Sequence, residues 1–327
     1  MQIRPLVLAT LALCVLLRAH EALAQPWKPA RSVEIIVGSG PGGGADITGR
    51  VMQKLFQEKL LPDVASSVVN KTGGGSTLSF IYLNQHAGDA HYLALTLQPM
   101  ITGPLMIPGQ ITYTEMTPLA HLINEYVGFG VRPDAPYKTG RDVIERLKKD
   151  PTSLSIGLST ALAGSNHLAT VLALKAAGVD IKKLRVVVVK GSTEAVAGVM
   201  GGHLDIAAGS AAGMMPFVES GKLHGIAVSG PKRLGGAFAN VPTWKEQGVD
   251  SVYANWRGVV GPKGLTAAQI AYWDGIFAKL AQMPEWREEL ARLLQDPVYL
   301  NSRETKAYLD AQHQELRAVL VDLGLAK

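Results

Sequence analysis

The chain has 327 residues, 47% of them hydrophobic and 18% charged, with a formal net charge of +5. That balance excludes a disordered chain, and basic residues scattered without a run of five leave no nucleic-acid footprint. A single cysteine excludes a disulfide framework, and the length exceeds what one compact core accommodates, so two lobes are expected.

Residues 1–24 read as a secretory signal. Arg4 supplies the positive start, residues 5–17 an apolar core short for a bilayer span, and Ala22-Leu23-Ala24 the small-x-small cleavage pattern before Gln25. Cys14 falls inside that core, so the mature protein would carry no thiol for a disulfide, a metal-thiolate site or a nucleophile. No later segment has the length and apolarity of a membrane helix, and a soluble periplasmic protein is expected.

The apolar run Val33-Glu34-Ile35-Ile36-Val37 leads into Gly38-Ser39-Gly40-Pro41-Gly42-Gly43-Gly44-Ala45-Asp46. A second run, Ser67-Val68-Val69-Asn70, leads into Lys71-Thr72-Gly73-Gly74-Gly75. Each reads as strand, glycine loop, helix start, a form in which backbone approaches a ligand closely and free N–H groups attract an anion. The first cluster formally matches a dinucleotide fingerprint. The acidic residue that should end the next strand and hold a ribose is replaced by Asn70-Lys71, so anion capture by amides is the preferred reading. Asp46 is expected chiefly to build this loop by accepting N–H bonds, because a carboxylate aimed at an anion repels it.

Further along, residues 92–97, 126–131, 154–157, 185–189, 204–208 and 223–228 read as strands, alternating with helices at 140–149, 165–177 and 193–200. This alternation predicts parallel sheets covered on both faces. Ser159-Thr160 and Ser165 lie between a strand and a helix, and Gly209-Ser210 follows another strand, so both stretches are candidate ligand loops at strand ends. After Trp256-Arg257-Gly258 the strands are expected to cease. Thr266 with Gln269 caps a helix at 267–282, Pro284 opens another, and Asn301 with Glu304 caps a last one reaching 323.

Catalytic, cofactor and metal signatures are missing from this pattern. Gly157-Leu158-Ser159-Thr160-Ala161 lacks the second glycine of a nucleophile elbow, and no two histidines have zinc-ligand spacing. His167 reads as a packed histidine. The competing class is an exported enzyme using the glycine loop for a phosphate-bearing cofactor; a binding protein, with no enzymatic activity, is the preferred reading.

Together these residues resemble the Bug-type substrate-binding proteins of tripartite tricarboxylate transporters. Pro41, Gly42, Gly43, Asp46 and Arg50 fit P-G-G-x-x-D-x-x-x-R, and Val68, Asn70, Lys71, Gly73 and Gly75 fit V-x-N-K-x-G-x-G. Gly164-Ser165-Asn166-His167-Leu168, Lys190-Gly191, Gly201-Gly202-His203-Leu204-Asp205 and the segments at 220–223, 242–248 and 256–262 continue the order. The resemblance implies an α/β, type II periplasmic-binding-protein fold, with a ligand cleft between two lobes. On this chain's own pattern, lobe one is expected to combine about residues 26–124 with 251–327, and lobe two to hold about 125–250. The expected role is a monomer that takes up a small organic carboxylate for membrane permease subunits, with presentation of the acid to a sensor kinase as the alternative. One carboxylate is expected against Gly42, Gly43, Gly74 and Gly75, beside Ser39 and Asp46. The far end should meet Ser159, Thr160, Ser165, Gly209 and Ser210, with Gln98 at the side. No Arg or Lys is assigned to a second carboxylate. The chain departs from the family at Ser39 and Val189, where bulkier residues are usual, which should widen the cleft or make it more polar.

Overall fold

The computed structural model describes residues 27–41, 44–159 and 162–326; the expected signal lies outside them. In chain order the elements are β1 (Val33–Val37), α1 (Gly44–Leu55), β2 (Ser66–Asn70), α2 (Thr77–Asn84), β3 (Tyr92–Leu95), α3 (Pro99–Met106), β4 (Thr117–Glu125), β5 (Val127–Val131), α4 (Gly140–Lys149), β6 (Ser155–Ser159), α5 (Ser165–Ala176), β7 (Arg185–Val189), α6 (Ser192–Met200), β8 (Ile206–Ser210), α7 (Ala211–Glu219), β9 (His224–Val228), β10 (Asn255–Gly261), α8 (Ala267–Gln282), α9 (Pro284–Arg292), β11 (Gln295–Leu300) and α10 (Ser302–Asp322). No helix among the described residues is long and apolar enough to cross a membrane.

Local chemistry explains the helix starts. Thr139, Thr266 and Asn301 each accept the N–H three residues on, while Asp142, Gln269 and Glu304 reach back, closing three capping boxes. At the other end of α5, Gly178 takes φ of +82°, the left-handed conformation that terminates a helix cheaply only in glycine.

The strands form two sheets, ordered β11-β4-β10-β3-β1-β2 and β7-β6-β8-β5-β9. The expectation of parallel sheets is corrected: both are mixed. β1 runs parallel to β2 and β3, but β10 is antiparallel to β3 and β4. Likewise β6 is parallel to β7 and β8, whereas β5 is antiparallel to β8 and β9. Of the antiparallel members, β5 and β10 each directly follow a crossing between the two α/β lobes. A strand that arrives from the other lobe is free of the helical crossover that enforces parallel pairing.

The chain crosses at Tyr126, between β4 and β5, and returns between β9 and β10. Ser229 staples the two crossings together. Its buried hydroxyl accepts the Val127 N–H at 2.9 Å and donates to the Tyr253 carbonyl at 2.7 Å.

A second correction concerns the C-terminal tail, which is not helix-only. β11 pairs antiparallel with β4 at the rim of the first sheet. Its sequence, with Asp296-Pro297 in the middle, lacks apolar alternation, and Pro297 is tolerated because an edge strand needs no donor on its free side. The first lobe's core packs Phe56, Trp273, Phe277 and Trp286, all fully buried. Trp273 also donates its ring N–H to the Ala90 carbonyl at 2.9 Å. The second sheet packs Phe129 against Trp244, with ring centroids 5.0 Å apart.

Candidate functional site

Because β1 and β2 are parallel neighbours with Val37 opposite Asn70, the two glycine loops leave the same edge of the sheet side by side. They are then tied to each other. The Lys71 N–H donates to the Val37 carbonyl at 2.8 Å, and the Ser76 hydroxyl donates to the Gly38 carbonyl at 3.2 Å. A Cβ at Gly38 would stand 2.6 Å from Ser76 Cβ, so only glycine permits this approach. Ser76 itself has φ of +78°, a strained value for a non-glycine residue.

Asp46, buried in the first turn of α1, is the anchor of the assembly. Its carboxylate accepts Asn70 Nδ2 at 2.9 Å and Arg50 Nε at 2.8 Å, while Asn70 Nδ2 also donates to the Ser39 carbonyl at 2.8 Å. Asn70, a residue of the second loop's strand, therefore joins the first loop to Asp46. The carboxylate ties the two loops through side-chain donors.

Gly42, Gly43 and Thr160 lie outside the described residues. Gly74 and Gly75 form a 3₁₀ turn just before α2, and Ser39 Oγ is shielded from solvent without a partner. Gln98 is buried just ahead of α3; its Oε1 accepts the Tyr253 hydroxyl at 3.1 Å and its Nε2 has no partner. Burial raises the Tyr253 phenol far above its ordinary range, so it remains a neutral donor.

Two of the second lobe's candidates, Ser165 and Ser210, are already engaged. Ser159 ends β6 and Ser165 opens α5, where its hydroxyl donates to Asn255 Oδ1 at 2.7 Å. Gly209 leaves room for Ser192, whose hydroxyl accepts the Ser210 N–H at 3.0 Å. The Ser210 hydroxyl donates to Glu125. His167 is buried, accepts the Ala163 N–H on Nδ1 at 3.0 Å, and is lowered by burial to about 4, so it is neutral and packed.

Sequence reasoning missed the centre of this network. Glu125, at the end of β4, accepts Ser210 Oγ, Asn255 Nδ2 at 3.0 Å and Arg257 Nη2. Arg257, on β10, is 5% exposed, and its Nε and Nη1 have no partner. The signal was a lone Arg inside the apolar run 256–261, which a strand buries only with a counter-charge. The guanidinium also touches the first loop: a Cβ on Gly44, the first residue of α1, would lie 2.8 Å from Nη2.

Two α/β lobes joined by paired crossings, with glycine loops at a sheet edge, are the architecture of the type II periplasmic-binding-protein fold. The profile described as tripartite tricarboxylate transporter family receptor matches residues 49–325, and the chain belongs to that family. It is 31% identical over 315 residues to the "UPF0065 protein in gbd 5'region" of Cupriavidus necator, covering 95% of this chain and 93% of that one. It is similar in structure to a TctC solute-binding protein from Polaromonas solved without ligand, at TM-score 0.75 and 26% identity, covering 91% of this chain and all (100%) of that one. An R. palustris protein solved with adipate has the same fold, at TM-score 0.78 and 20% identity, covering 91% of this chain and 99% of that one.

Proposed function

We propose that the mature protein captures a small organic carboxylate outside the cytoplasm and hands it to the membrane permease subunits of a tripartite tricarboxylate-type transporter, as a monomer without catalytic activity. Lobe one is assigned residues 26–124 and 251–327, and lobe two residues 125–250; the membership of the two sheets supports this division closely. The observation that carries the reading is the pair of glycine loops stitched together at one edge of the first sheet by Asn70, Asp46 and Ser76. One carboxylate is received by the backbone N–H groups of Gly42, Gly43, Gly74 and Gly75, next to Ser39, at the N-terminus of α1. Capture of adipate by a protein of the same fold supports this choice of ligand class.

The far side is assigned to Ser159, Thr160, Ser165, Gly209 and Ser210. The protons of Ser165 and Ser210 are committed to Asn255 and Glu125, so these hydroxyls offer lone pairs rather than donors to a ligand. A thermal-shift screen of residues 25–327 against mono-, di- and tricarboxylates and amino acids tests the function. At one hundred times its dissociation constant a bound acid should stabilise the fold by about 2.7 kcal/mol. A shift with sugars, cations or nucleotides alone would refute the carboxylate reading, and nucleotide turnover would refute a receptor without catalysis.

A further inference from the structure

Among the described residues, the shielded side-chain donors that lack a partner are Ser39 Oγ, Gln98 Nε2, Arg257 Nε and Nη1, and a few ring nitrogens. The first three residues share one place. Ile36 on β1 lies opposite Ala94 on β3, and Val259 on β10 lies opposite Leu95, so the start of β10 and the ends of β1 and β3 meet at the same sheet edge. Arg257, Gln98 and Ser39 are thus carried by three adjacent strands or the loops that leave them. Gln98 is 2% exposed and Arg257 5%. A buried amide or guanidinium N–H with nothing to bond is costly, and three such groups at one edge need a common explanation.

Electrostatics narrows it. The Arg257 guanidinium lies against Gly44, at the positive end of α1. A cation in that position is unfavourable by itself, and Glu125 answers it only at Nη2. The N–H groups on Nε and Nη1, three in all, stay open. An anion placed against Nε and Nη1 satisfies them.

We propose that Arg257, assisted by Gln98, receives the second carboxylate of a dicarboxylate whose first is held by the glycine-loop amides, making Arg257 the specificity-determining residue. This rests on the carboxylate-receptor reading above. Closure on a monocarboxylate leaves the open N–H groups buried and unpaired, and a site built to bond a group discriminates strongly against the analogue that lacks it. Glu125 is a positioning residue: its carboxylate, held by Ser210 and Asn255, fixes the guanidinium through one nitrogen and leaves the others for the ligand.

The test is calorimetric titration of residues 25–327 with succinate, glutarate and adipate, each against butyrate, valerate and hexanoate of matched length. The wild type should prefer at least one dicarboxylate over its matched monocarboxylate by about 30-fold or more. Arg257→Gln, confirmed as folded by its melting curve, should reduce that ratio to about 3-fold while still binding the monocarboxylate. Arg257→Lys, which keeps the charge but loses the planar fork, should reduce it about tenfold and covers the case in which the glutamine variant does not fold. An unchanged ratio in either folded variant, or a wild type that binds the monocarboxylates equally well, overturns the role of Arg257 and leaves the receptor reading standing. A wild type that binds none of the six acids or any other carboxylate overturns both.

Discussion

The two sides of the site are built on different principles. On the first lobe the loops are shaped by backbone: Gly38 admits Ser76, Asn70 bridges Ser39 to Asp46, and shielded donors on Ser39, Gln98 and Arg257 remain uncommitted. On the second lobe two candidate hydroxyls are committed already, Ser165 to Asn255 and Ser210 to Glu125. The difference teaches that a hydroxyl at a strand end is not by itself a ligand donor. What matters is whether its proton is already in use.

The largest way to break this contrast is Gly38→Val. Its Cβ would overlap Ser76, the extra carbons would force the loops apart, and stability should fall by about 3 kcal/mol in urea unfolding, with the ligand-induced thermal shift lost. A variant with wild-type stability and an intact shift would show that the loops need not touch.

The second lobe should answer to pH. Burial lowers His167 from 6.5 to about 4, so between those values the folded state binds fewer protons than the unfolded one. His167 therefore contributes its full stability above pH 6.5, loses it as pH falls toward 4, and adds no slope below. The loss is at most about 3 kcal/mol, at 1.36 kcal/mol per unit. On the first lobe, buried His121, also lowered by burial, acts in the same direction. Urea titrations at several pH values should show a shallower acid slope in His167→Gln, and an unchanged slope would place the response elsewhere.

Asp46→Ala should cost about 2 kcal/mol, because it strips a buried acceptor from Asn70 and unties the first loop from the second. Loss of ligand affinity should accompany it, since the glycine amides lose their alignment. Urea unfolding and titration of the same preparation check both, and affinity surviving the loss of stability would make Asp46 an ordinary helix-start carboxylate.

Ser210→Ala is the smallest change expected. It removes one of several donors to Glu125, so stability should fall by about 1 kcal/mol and affinity by only a few-fold. A larger loss of affinity would mean that the hydroxyl meets the ligand directly.

Legibility in the sequence followed the range of the interaction. The capping boxes at Thr266 and Asn301 and the left-handed Gly178 were readable because each involves partners within a few residues. The glycine loops were readable because close backbone approach demands that residue type. The pairing of Arg257 with Glu125 spans 132 positions, so no local pattern revealed it. Strand direction failed for a related reason. Alternation of strands and helices reports local crossovers, whereas β5 and β10 enter their sheets from the other lobe. β11 escaped notice because Pro297 and Asp296 hide an edge strand whose one ladder is enough to hold it.

Whether a carboxylate is held where the glycine loops meet can be seen in a crystal structure of residues 25–327 with a bound acid. A carboxylate should lie between the loops after β1 and β2, with Arg257 Nε and Nη1 turned to the ligand. A ligand carboxylate seated instead in the separate groove of about 640 Å³ lined by Lys232, Arg233, Arg287 and Arg292, with the glycine loops making no contact to it, would show that the loops are not the carboxylate site.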